Sequence, residues 1–182
     1  MDNPAIRQRV LFHEVPPQSK GMASPKRYIQ FLQRAVARGR LNMLVIDLKG
    51  AYKYKSHPEL VRSQAWSQAG LDKVLDAARE LGIEVIPTVN SPAHANWITN
   101  AHPQLAEEAT AGLLCTRHPE TRPLLLDLYD EVIQAFGQPR FVHIGHDEIR
   151  WRTRFKHEVQ HCPRCEGSPR WALIADDLMW SH

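Results

Sequence analysis

Four short apolar runs, each followed by a stretch with helically spaced apolar residues, alternate strictly along the chain. That alternation constrains the fold most, because strand–helix–strand order forces parallel pairing with right-handed crossovers. The first run covers 10–15 and stops at Pro16-Pro17. Ser24 and Pro25 then supply an N-cap and a first-turn proline; Ile29, Leu32, Ala35 and Val36 share a face, and Gly39 closes the helix. A second strand, 42–47, leads through a polar and aromatic loop, 50–58, into a helix carrying Leu71, Val74, Leu75, Ala78 and Leu81, with Gly82 at its C-cap. The third strand, 83–89, has an exit loop at 90–97. A helix opening near Pro123 carries Leu125, Leu128, Tyr129, Val132 and Phe136 and ends at Gly137. The fourth strand begins at Phe141, and a last helix starts at Ser168-Pro169 and runs through Trp171, Leu173, Ile174 and Leu178.

An open doubly wound sheet and half of a (β/α)8 barrel both fit this order. No Gly-x-Gly-x-x-Gly follows the first strand and no Walker-type loop occurs, so nucleotide binding loses its main support. The chain has 182 residues, which suits one domain but is short for a complete eight-fold barrel of about 250 residues. A net charge of +3 without a dense basic block gives no sign of nucleic-acid binding. No run approaches the roughly 18 apolar residues of a membrane span, and the first residues lack a basic-then-apolar leader, so a cytoplasmic location is expected. Three cysteines are too few for a disulfide framework.

The residues best suited to chemistry stand at Phe141-Val142-His143-Ile144-Gly145-His146-Asp147-Glu148. The run reads as a strand buried on both faces that ends in two adjacent carboxylates. Strand neighbours point to opposite faces, so Asp147 and Glu148 share one site only if the backbone turns there. Polar and aromatic residues also gather in the loops after the second and third strands. In α/β enzymes, the C-terminal ends of strands are where sites are kept.

These residues resemble the first half of a family 20 glycoside hydrolase, the β-N-acetylhexosaminidases. His143-Ile144-Gly145-His146-Asp147-Glu148 is similar to that family's His-x-Gly-Gly-Asp-Glu at the end of barrel strand four. Ile86-Pro87-Thr88-Val89-Asn90-Ser91-Pro92-Ala93-His94-Ala95 parallels its Ile-Pro-Glu-Ile-Asp-x-Pro-Gly-His-Ala after strand three. Asn42-Met43-Leu44 and His57-Pro58-Glu59-Leu60 match its second strand and following loop. His146 for the second glycine and a non-acidic strand-three loop resemble the divergent, hexosaminidase D-like branch. The departures are Asn90 and Thr88 where the family has acids, the lack of an arginine ending the first strand, and no counterpart of strands five to eight. The resemblance implies an α/β fold of (β/α)8 TIM-barrel type with about four β/α units. Residues 1–182 then form a single partial catalytic domain, the N-terminal half of the barrel.

It also implies a substrate-assisted mechanism, in which the 2-acetamido oxygen of the sugar is the nucleophile. Glu148 would act as acid and base, and Asp147 would orient the acetamide and stabilise its developing charge. His94 and His143 are expected either to support the acid pair from behind or to bind sugar hydroxyls, and Asn90 is expected among the sugar-binding residues. His146 is expected to narrow the site. Trp97 either stacks on a sugar face or belongs to the core, and Asp47 either faces the site or caps the following loop. The expected partner is an N-acetylhexosamine-containing glycan, with no cofactor required for catalysis.

A second constellation follows at His157-x3-His161-Cys162-x2-Cys165. A Cys-x2-Cys knuckle is a common half of a structural zinc site, and His157 or His161 would add ligands. The alternative is a pair of reduced surface thiols. Two further readings compete with the glycosidase: a truncated, non-catalytic half-barrel that binds sugar or self-associates as a homo-oligomer, and a metal-dependent hydrolase. The absence of a His-x-His pair at the end of the first strand argues against the latter.

Overall fold

The computed structural model describes residues 7–16, 24–107, 112–149 and 162–181. The expected alternation is present as β1 (Val10–Glu14), α1 (Pro25–Gly39), β2 (Met43–Asp47), α2 (Gln68–Glu80), β3 (Glu84–Ser91), a short α3 (Asn96–Thr99), α4 (Thr121–Ala135), β4 (His143–Gly145) and α5 (Arg170–Trp180). The strands form one sheet in the order β1-β2-β3-β4. β1 pairs with β2, and β2 with β3, in parallel. The chain divides into two compact units, one holding the residues up to Thr88 with Glu131–His143, the other Val89–Asp130 with the residues from Ile144 onward.

In the first unit, the register places Phe12, Val45 and Ile86 side by side, and Glu14, Asp47 and Thr88 likewise. Alternation therefore sends Val10, Phe12, Met43, Val45 and Ile86 to one face, and His13, Leu44 and Ile46 to the other. The second face is covered: the His13 ring packs on Tyr28 and Phe31 of α1, and Leu44 and Ile46 are buried. On the first face Met43, Val45 and Ile86 make a small cluster, while Val10 and Phe12 stay 50% and 46% exposed. α1 starts as expected, with Ser24 accepting the Arg27 N–H at 3.4 Å. Its left-handed C-terminal residue is Arg40 rather than Gly39. α2 is capped by Ser67, a position the sequence reading did not single out.

The loop after β2 differs from expectation. Tyr52 and Tyr54 are buried and meet edge to face at 5.2 Å, so they build the unit instead of lining an open site. Glu131 anchors the loop's far end, accepting from the Lys55 and Ser56 amides at 2.7 and 2.9 Å and from the Ser56 hydroxyl at 2.6 Å. β4 is also shorter and more open than the sequence pattern suggests. It comprises three half-buried residues, and Phe141 before it is exposed, because among the described residues β4 ends the strand order and has a neighbour on one side.

In the second unit, the segment after β3 is laced by backbone bonds from Ala95 to Gly112, Leu114 to Pro92 and Cys115 to Leu105. Ala93, Leu113, Cys115, Cys162, Cys165 and Leu173 form its core, with Ile149 and Ile174 packed against them.

Candidate active site

The acid pair follows a turn made from left-handed residues. Gly145, His146 and Glu148 have φ of 83°, 68° and 48°, the region that favours glycine. A side chain on Gly145 would collide with Asn90 Oδ1 and come within 2.8 Å of the Ser91 backbone. Only glycine lets β4 end this close to β3. The His146 amide then donates to Ser91 O at 2.8 Å and fixes the turn. The expected change of backbone direction is thus present, and Asp147 and Glu148 both reach His94. Its Nε2 lies 3.4 Å from Asp147 Oδ2 and 3.5 Å from Glu148 Oε2. His94 is itself held in a left-handed conformation, φ 55°, after the cis Ser91-Pro92 bond. One imidazole nitrogen therefore joins the two carboxylates, each more than half exposed.

His146 does not narrow this site. Its ring is turned inward, its side chain 7% exposed, with Nε2 2.9 Å from Asp177 Oδ2 on α5 and Nδ1 3.1 Å from Ile144 O. Tyr129 of α4, read from sequence only as part of an apolar stripe, donates its hydroxyl to Val89 O at 3.2 Å. Burial raises its pKa, which keeps the phenol a donor at the end of β3. Asn90 is buried beside Gly145, and its Oδ1 has no hydrogen-bond partner among the described residues. Trp97 stands half-buried on α3, two residues past Ala95.

In the first unit, Thr88 stands where the resemblance expects a glutamate, and its hydroxyl meets His143 Nδ1 at 3.1 Å. The His143 ring also meets Phe12 edge to face, with ring centroids 5.7 Å apart. Asp47 is buried and accepts the Lys49 amide at 3.2 Å. Arg62 was not singled out by the sequence reading. Its guanidinium donates to Val15 O at 2.9 Å, bringing a cation to the end of β1 from a different point in the chain. Only the tertiary structure could reveal it, since 47 residues separate the two positions.

The knuckle cysteines are not surface thiols. Cys162 and Cys165 are buried together with Cys115 and Glu107. Burial, the contact with Cys162 and the charge of Glu107 push the Cys115 thiol up to about 11. Cys165 is raised as well, by burial and the hydrogen bond to Glu107. His157 and His161 lie outside the described residues.

Comparison with known proteins bears on what this arrangement belongs to. The family profile described as glycosyl hydrolase family 20, catalytic domain, matches residues 45–171. A β-N-acetylhexosaminidase from Cellulomonas fimi is 27% identical over 140 residues, covering 63% of this chain and 28% of that protein. Hexosaminidase D from Bos taurus is 27% identical over 113 residues, or 59% of this chain and 32% of the relative. This chain therefore spans about a third or less of the relatives' length. The family 20 β-N-acetylhexosaminidase structure from Streptomyces coelicolor A3(2) superposes with a TM-score of 0.68 at 18% identity, over 81% of this chain and 34% of that one. The exo-β-N-acetylglucosaminidase of Vibrio harveyi gives a TM-score of 0.65 at 19% identity, over 99% of this chain and 31% of that one. The fold is that of part of a (β/α)8 barrel, and with the profile matching well over half of its residues, the chain belongs to glycosyl hydrolase family 20.

Proposed function

We propose that this chain carries the acid/base side of a β-N-acetylhexosaminidase active site and that its two units belong to one partial catalytic domain. The observation that carries the reading is the position of Asp147 and Glu148 on a single His94 nitrogen. Glu148 donates a proton to the glycosidic oxygen as the substrate's 2-acetamido oxygen attacks the anomeric carbon and the leaving alcohol departs. Asp147 orients the acetamide and stabilises the positive charge that develops on it. Glu148, now a carboxylate, takes a proton from water, which attacks the anomeric carbon and reopens the oxazolinium with retention. His94 holds both carboxylates in register, and Asn90, His143, Asp47 and Trp97 are carried as further sugar-binding candidates. No step needs a cofactor.

Hydrolysis of an aryl N-acetyl-β-glucosaminide tests this. Glu148→Gln is expected to lower kcat by about 10²–10⁴ for a poor leaving group, and by less for an activated aryl group that needs little protonation. Asp147→Asn should lower kcat for both. A folded chain without turnover overturns the reading for this chain. It would favour the half-barrel that binds sugar or self-associates, to which the exposed Val10 and Phe12 also point.

A further inference from the structure

Glu107, Cys115, Cys162 and Cys165 come together in the core of the second unit, with one ligand atom from each lying within 4.8 Å of the others. The Cys115 sulfur is 3.2 Å from that of Cys162 and 3.7 Å from that of Cys165. Glu107 Oε1 is 3.0 Å from the Cys165 sulfur, and Oε2 accepts the Cys162 amide at 3.0 Å. All four residues are at most 3% exposed. A carboxylate held this deep is costly to bury without a positive partner. Among the described residues, its side-chain partners are that amide and that thiol.

We propose that Glu107, Cys115, Cys162 and Cys165 bind a single structural zinc ion. The Cys-x2-Cys knuckle supplies half of the site, and the fold supplies the other half from 47 and 58 residues away. Zn–S bonds of about 2.3 Å in a tetrahedron put sulfur atoms about 3.8 Å apart. Cys115 and Cys165 already stand at that spacing, and small side-chain rotations bring in the other two donors. Thiolate sulfur selects zinc over magnesium or calcium, which prefer oxygen. Four protein ligands close the coordination shell, so the ion supports structure rather than chemistry. On binding, each thiol releases its proton to solvent and forms a bond to the metal, with no change of oxidation state. A disulfide between Cys115 and Cys162 is the competing outcome. It would leave Cys165 and Glu107 buried together without a cation.

The ion ties the segment after β3 to the residues that enter α5. The same core holds Ala93, next to His94, and Ile149, next to Glu148. α5 in turn presents Asp177 to His146. Zinc therefore fixes the support of the acid loop from two directions. The site stands independently of the glycosidase reading, since nothing in it touches substrate.

The test uses the whole chain purified under reducing conditions without chelator. Elemental analysis should find about one zinc per chain, and cobalt substitution should give the intense visible bands of tetrahedral thiolate coordination. Cys115→Ser and Cys165→Ser should lose both signals. Glu107→Gln keeps three sulfurs and should release zinc to a competing chelator about 10-fold or more faster. Chelation of the unmodified chain should lower its Tm. A folded chain that holds no zinc and gives no cobalt spectrum overturns the proposal, as does an intact-mass shift showing a Cys115–Cys162 disulfide in the reduced-purified protein.

Discussion

His146 occupies a backbone conformation that ordinarily belongs to glycine, and its side chain accounts for why it is tolerated. The imidazole lies against a carboxylate of α5 that is itself 2% exposed. A hydrogen bond to a buried charged group contributes about 1.5–3 kcal/mol. The left-handed conformation costs a non-glycine residue about 1 kcal/mol or more. The bond therefore outweighs the strain. His146→Ala is expected to destabilise the protein by about 2–3 kcal/mol, and His146→Gly by about 1 kcal/mol less, as measured by denaturant unfolding. Equal losses would mean that the backbone conformation carries no cost. Because the ring faces Asp177 rather than the acid pair, the Gly variant should alter Tm more than KM.

The loop after β2 is fixed by α4, and Glu131 is where the two elements meet. Burial alone would raise the Glu131 pKa, but the Ser56 hydroxyl and the Ser56 and Lys55 amides outweigh it and hold the carboxyl below its ordinary value near 4.5. A depressed carboxylate pKa contributes stability that is present in full above the unfolded value and is lost as pH falls through the folded one. Glu131→Gln is thus expected to cost about 1 kcal/mol at neutral pH. The difference from the unmodified chain should vanish in acid, which paired unfolding curves across that window would reveal. In the same way Tyr129, from the other half of α4, anchors the end of β3 through its hydroxyl. Tyr129→Phe keeps the apolar packing and removes that bond. It is expected to cost about 1 kcal/mol, and more if Val89 O is left without another donor.

At the scale of the molecule, one face of the first unit's sheet leaves its β1 side chains exposed. His13 packs on Tyr28 and Phe31 of α1, and Leu44 and Ile46 are buried, whereas on the opposite face Val10 and Phe12 are exposed beside the buried Met43, Val45 and Ile86. In a closed (β/α)8 barrel such a face is filled by layers of side chains from other strands. Exposed apolar area of this kind promotes association. The 182-residue chain is expected to self-associate over the concentration range of a sedimentation experiment, and Val10→Thr with Phe12→Ser should shift it toward monomer. A chain that is monomeric over that range would show that this face is tolerated in water.

The order of strands and helices, their parallel pairing and the position of the acid pair after the fourth strand were legible in the sequence. They depend on local periodicity, caps and a motif that is contiguous in the chain. The knuckle of Cys162 and Cys165 was legible for the same reason. Periodicity did not determine how open β4 is, where the Tyr52 and Tyr54 side chains go, or which way His146 turns, since each depends on what lies across the fold. His94 was marked by the resemblance, and the fold determined that it meets both carboxylates; Arg62 at the end of β1, and Cys115 with Glu107 beside the knuckle, were decided by tertiary structure alone. Side chains tens of residues apart meet only when packing brings them together. The sequence marked where charge and sulfur would be, and the fold determined what each would face.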